Sequence, residues 1–137
     1  MKDNQEWIED PLPNSCPPEE AYRPENDVFY RLVESFPPKI DDFYSIRKLF
    51  PERPPYTSHD ECIQRSCSVF STYKACENLR KTVKKHRAKR IAKLVLPSQA
   101  GVIKQTCSDP DHYSLWMYLG FDPVPLCQIP DEEVENG

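Results

Sequence analysis

Glycine is nearly missing from this chain, with three in 137 residues against an average usage near ~7%. That scarcity excludes the two glycine-built phosphate cradles, since neither a P-loop nor a dinucleotide-binding GxGxxG can be written anywhere in the sequence. Long apolar runs are missing too. None approaches the ~20 residues that a membrane-crossing helix needs, so neither a spanning helix nor a membrane partner is expected. The opening MKDNQEWIED has no apolar centre of the kind a secretory signal carries, and the expected compartment is the cytoplasm. A basic excess is also absent: 18 Lys and Arg stand against 22 Asp and Glu, for a net charge of −4.

What is present supports one modest core. Hydrophobic residues make up 38% of the chain and the mean hydropathy is −0.73, a balance suited to a single small domain. Proline is abundant, with 15 residues, about twice the usual share. The six cysteines are Cys16, Cys62, Cys67, Cys76, Cys107 and Cys127. In a reducing cytoplasm they read as thiols acting as small hydrophobes, with a disulfide or a metal site as the alternatives.

Composition divides the chain in three. Residues 1–27 form a proline-rich acidic arm, laid on the domain through Trp7 and Ile8. Residues 28–129 carry the folded part. Residues 130–137, with Asp131, Glu132, Glu133 and Glu135, read as a solvated acidic tail.

Val28 to Val33 is rich in β-branched and aromatic residues and reads as a strand. Asp41 or Asp42 caps a short helix with Phe43, Ile46 and Phe50 on one stripe, and residues 51–61 read as a loop. Cys67-Ser68-Val69-Phe70 is a second strand. Ser71 or Thr72 then caps a helix with Ala75, Cys76, Leu79 and Val83 on one face. Ile91 to Leu96 is the clearest strand, and Gly101 to Thr106 is a candidate to pair with it. Ser108 to Asp111 is turn chemistry, His112 to Leu119 is an aromatic strand, and Phe121 to Cys127, broken by Pro123 and Pro125, is an edge strand or coil. The order implies an α+β domain with a mixed or antiparallel sheet and two short helices.

Charge is segregated. Between Tyr73 and Lys93 nine basic residues face Glu77 alone, a local charge of +8, and the remainder carries −12. Arg80, Lys81, Lys84, Lys85, Arg87, Lys89 and Arg90 could hold phosphate backbones. The competing reading is a solvated helix face answered by the chain's own acidic residues. His59, Cys62 and Cys67 are spaced too unevenly for a structural zinc, so zinc is not expected and these residues remain a weak metal alternative. Cys107 and His112 sit five apart across a turn and form a candidate nucleophile and base.

Polar residues inside apolar strands form the more informative set. Arg31 sits in mid-strand, where a guanidinium can hold phosphate or turn outward. Ser68, Ser71 and Thr72 bracket the second strand, and His112, Tyr113 and Trp116 mark the aromatic one. Tyr30-Arg31 on a first strand, then Ser68-Val69-Phe70-Ser71-Thr72 running from strand into helix, resembles the ADP-ribosyltransferase-like split-sheet fold, which includes small toxin domains that consume NAD. The resemblance implies a nucleotide ligand, with NAD as the cofactor such a site would take. It implies Arg31 on phosphate and Ser71 with Thr72 supporting the pocket. It also implies a catalytic glutamate on a late strand, and no glutamate stands between Glu77 and Glu132.

The function expected is therefore a small nucleotide-binding, toxin-like domain. Ser68, Ser71 and Thr72 would shape its pocket, His112 or Tyr113 would contact the base or move a proton, and Trp116 would stack. A non-enzymatic interaction protein that docks partners through the proline-rich arm is the first alternative. Nucleic-acid binding through the basic segment is the second.

Overall fold

The longest pairing joins β1 (Asp27–Val33) to β3 (Arg90–Leu96), antiparallel from Asp27 opposite Leu96 to Val33 opposite Arg90. Both are runs of aliphatic, aromatic and β-branched residues, which suit a pleated surface covered on two sides. This computed structural model describes residues 6–54 and 58–134; Glu135 at the end of the acidic tail lies outside them. The strands β2 (Cys67–Phe70), β4 (Gly101–Gln105), β5 (His112–Met117) and the two-residue β6 (Cys127–Gln128) complete one six-stranded sheet. Its order is β4-β5-β2-β1-β3-β6, every pair antiparallel. With its short helices this is a small α+β domain.

Side chains alternate across a strand, so the register assigns each residue to a face. Phe29, Val33, Val69, Leu94, Leu96, Ile103 and Leu115 build the main core on one face, closed over by Phe43, Ile8, Phe36, Phe121 and Val124. The opposite face carries two separate clusters. One, of Phe70, Cys76 and Ile91, lies under α3 (Tyr73–Thr82). The other gathers Val102, Trp116, Ala21 and Cys62, with Trp7 and Leu12 from the arm. The arm thus runs along the sheet, bridging Tyr22 to Ile103 and Trp7 to Tyr118.

Several local expectations are corrected. The helix expected after Asp41 is split: a 3-10 turn covers Ile40–Phe43, and α1 (Ile46–Leu49) starts afresh at Ser45, whose hydroxyl accepts from Lys48 N. Part of the stretch read as loop is helix α2 (Ser58–Gln64). Arg47 of α1 holds it by donating to both carboxylate oxygens of Glu61, at 2.7 and 2.8 Å. The strand β4 pairs with β5 rather than β3. Gly101 permits that approach: its φ is +150°, and a Cβ there would collide with the carbonyl oxygen of Trp116.

The reading of all six cysteines as thiols is also overturned. Cys16 of the arm and Cys62 of α2 form a disulfide, while Cys67, Cys76, Cys107 and Cys127 are free. Disulfides persist in oxidising surroundings, so this bond is at odds with the reducing environment assumed from composition. The acidic tail is not wholly solvated either, because Glu133 of α4 (Asp131–Val134) folds back onto α3. No helix among the described residues is long and apolar enough to cross a membrane.

Candidate functional site

Two polar constellations arise where β2 and β5 run side by side. The register Phe70 opposite His112 and Ser68 opposite Ser114 continues past the strand end, where Ser71 N donates to the Asp111 carbonyl at 2.9 Å. Ser71 and Asp111 therefore form a cross-strand pair, and the Ser71 hydroxyl donates to Asp111 Oδ1 at 2.8 Å. Capping of α3 falls to Thr72, whose Oγ1 accepts from Ala75 N at 3.1 Å. Ser71 is thereby released from the capping role that the sequence allowed it.

The turn that carries Asp111 is firmly braced. Gln105 Nε2 donates to the carbonyls of Thr106, Cys107 and Asp109, and Asp109 Oδ1 accepts from Asp111 N at 2.9 Å. Between this turn and α3 lies an open groove of about 580 Å³, within the size range of small-molecule sites. Phe70, Ala75 and Leu79 give it an apolar wall, and Lys74, Asn78, Asp109 and Asp111 give it a polar rim. Asp111 carried a turn signature in the sequence, Lys74 belongs to the basic stretch between Tyr73 and Lys93, and Asn78 carried no signal beyond an exposed position on a helix.

The second constellation lies on the helix-bearing face. His112 Nε2 is 3.0 Å from Ser68 Oγ. His112 Nδ1 is 3.0 Å from Thr106 Oγ1 and 3.3 Å from the Thr106 carbonyl, and Thr106 Oγ1 is 2.9 Å from the fully buried Ser114 Oγ. Burial holds the imidazole below the ordinary histidine range, only partly offset by the Thr106 carbonyl and the charge of Asp109.

The remaining expected residues are placed elsewhere. Arg31 shares the main-core face with Phe29 and Val33, so it does not meet His112. Its Nε donates to the Asp42 carbonyl at 2.8 Å, its Nη1 to the Ser68 carbonyl, and its guanidinium lies 5.6 Å from the centre of the Phe43 ring. Tyr113 packs edge-on to Phe29 in the core. Trp116 is 2% exposed, with its Nε1 donating to the Cys62 carbonyl, so it offers no stacking surface. Cys107 and His112 do not act as a pair, since both imidazole nitrogens are taken by Ser68 and Thr106.

The weak metal alternative is dissolved by the disulfide, which consumes Cys62. Cys67 is buried in the main core, where desolvation raises its thiol pKa, and the side chain of His59 lies outside the described residues. The basic segment is partly answered from within. Arg80 donates to Glu77 at 2.8 Å and to Glu133 at 3.0 Å, Lys89 reaches Glu34 at 3.4 Å, and Lys81 sits 3.5 Å from Glu77. Lys84, Lys85, Arg87 and Arg90 are exposed.

Compared with known proteins, the chain matches no family model, no curated protein and no solved structure.

Proposed function

We propose that this chain is a small nucleotide-binding domain of the ADP-ribosyltransferase-like kind, with its ligand in the groove between α3 and the Ser71–Asp111 pair. The observation that carries the reading is the hydrogen bond from Ser71 to Asp111 at the edge of that groove. It sets a carboxylate, Asp111, just before β5 and against Ser71 just after β2, where the resemblance calls for a glutamate on a late strand. The adjacent strands β1, β2 and β5 carry Arg31, Ser68 and His112, with Ser71 and Asp111 just past the ends of β2 and β5, an order along the chain that supports the resemblance.

The chemistry of the groove suits such a ligand. Lys74 offers a cation to phosphate. Ser71 fixes one oxygen of Asp111 and leaves the other for a sugar hydroxyl. Phe70 and Leu79 provide an apolar wall for a base. Lys74 takes the phosphate role in this reading, because Arg31 is engaged with backbone carbonyls. The reading is of binding alone, since aspartate is a methylene shorter than the glutamate expected for transfer.

Thermal melting with millimolar NAD, NADP, ADP-ribose or ATP tests it. A ligand at 100 times its dissociation constant adds ~2.7 kcal/mol, a shift that Lys74→Ala and Asp111→Asn should each reduce. If none of the four ligands moves the melting curve of the parent chain, the reading is wrong.

A further inference from the structure

The Ser68–His112 constellation lies outside the groove and supports an inference that does not depend on it. The relevant tautomer is the one with the proton on His112 Nδ1, which then donates to the Thr106 carbonyl 3.3 Å away; Thr106 Oγ1, 3.0 Å away, can serve either tautomer. Nε2 is then the bare nitrogen, and it accepts the Ser68 hydroxyl at 3.0 Å. The arrangement has a hydroxyl on a base within hydrogen-bond reach, and a base whose far nitrogen is anchored so that the ring cannot turn. Thr106 is itself fixed by Ser114, which is 0% exposed. Ser68 stays partly open to solvent on the strip between the cluster under α3 and the cluster around Trp116.

A purely structural polar ladder would satisfy the same hydrogen bonds, but it would not need the serine at the solvent end with the acceptor nitrogen turned toward it. We propose that Ser68 is a nucleophile activated by His112, which takes an acyl group from small activated esters and passes it to water. Ser68 Oγ attacks the ester carbonyl carbon while its proton moves to His112 Nε2. The carbon–oxygen bond to the alcohol breaks and the alcohol leaves with that proton. Water then attacks the acyl-serine, giving its proton to the same nitrogen, and the carboxylic acid departs as Ser68 regains its hydrogen. The net change is one ester and one water to one acid and one alcohol.

The test is acetylation by p-nitrophenyl acetate, followed by release of nitrophenol and by peptide mapping of the intact chain. Ser68 should be acetylated ~100-fold faster than the exposed Ser98 and Ser108, the advantage that a positioned general base confers. His112→Gln should remove that advantage while nitrophenol release falls to the level of Ser68→Ala. The rate of the parent chain should rise with pH through a midpoint below the ordinary histidine value of ~6.5, with Asp109 as the neighbouring charge that acts on the ring. Mapping on the parent chain needs no variant to fold. Labelling of Ser68 no faster than of Ser98 and Ser108 overturns the proposal, as does fast labelling that survives His112→Gln.

Discussion

Replacing Arg31 by alanine separates two roles that a mid-strand arginine can play. The guanidinium makes two hydrogen bonds to backbone carbonyls, one on the neighbouring strand at Ser68 and one on the 3-10 turn at Asp42. Each is charge-assisted, a class worth about 1.5–3 kcal/mol, so the pair contributes about 3–6 kcal/mol. The stacking over Phe43 adds ~0.5–1 kcal/mol at a partly solvated site. Ordering so long a side chain costs ~2 kcal/mol, which alanine does not incur. Water can also reach the Asp42 carbonyl once the arginine is gone, so the lower half of the range applies. The expected net loss is about 1.5–3.5 kcal/mol, a fall in Tm of roughly 10 °C for a chain of this size.

Urea titration and thermal melting by circular dichroism measure this loss. Arg31→Lys should fall between parent and alanine, because one ammonium cannot span both carbonyls. The nucleotide-induced shift should survive in a ligand-bound Arg31→Ala sample, measured from its own lower baseline. An Arg31→Ala chain that melts within ~1 kcal/mol of the parent and has lost its response to every nucleotide would refute this reasoning, and would return the guanidinium to the phosphate.

Acid should loosen the corner where α4 meets α3. Arg80 holds the Glu133 carboxyl below the usual range, Arg47 does the same for Glu61, and Tyr73 and Arg80 together lower Glu77. Carboxylates depressed in the folded state stabilise it fully above their unfolded value of ~4.3 and lose that contribution as pH falls through the folded value. Urea midpoints should therefore be flat from neutral pH down to about pH 5 and drop below pH 4. Glu133→Gln should remove part of the acid-sensitive component; an unchanged acid profile would count against the Arg80 contact. Reduction of the Cys16–Cys62 bond, which closes a separation of 46 residues, should lower stability by up to ~4 kcal/mol on loop-entropy grounds. Melting with and without dithiothreitol reads this directly, and identical curves would mean that the arm is held by its strand bridges and packing alone.

Elements whose stabilising pattern is local were legible. The helix α3 announces itself through Thr72 and a stripe spaced three and four apart, and β1 and β3 through dense β-formers stopped by proline. The helix α2 was not legible, because Ser58–Gln64 holds only Cys62 and Ile63 as apolar residues. No amphipathic period can form from two such positions, and what holds the helix is a bond to Cys16 and the grip of Arg47 on Glu61, neither of which has a local signature. The continuous helix expected over Phe43, Ile46 and Phe50 gave way because the Asp42 carboxylate accepts from Glu34 N and Lys39 N and serves a 3-10 turn, the backbone is extended at Tyr44 and Ser45, and the Ser45 hydroxyl caps a new start.

The candidate site was half legible for a related reason. Ser68, Ser71, Thr72 and His112 stand out as polar residues at strand ends, but which of them meet depends on a register between segments more than forty residues apart. That register is set by residues with no part in the chemistry. Cys67, Val69, Leu115 and Met117 all point into the main core, and only the pairing of Cys67 with Leu115 and Val69 with Tyr113 puts them there together. A slip of one residue would turn an entire side-chain set to the opposite face. It would carry Ser68 away from His112 and Ser71 away from Asp111 in the same movement. The two constellations are thus consequences of one alignment of β2 on β5, and the apolar side of that alignment decides the positions of the hydroxyls on the polar side. Polar substitution of Val69 should for that reason disturb both sites at once, although it touches neither Asp111 nor His112.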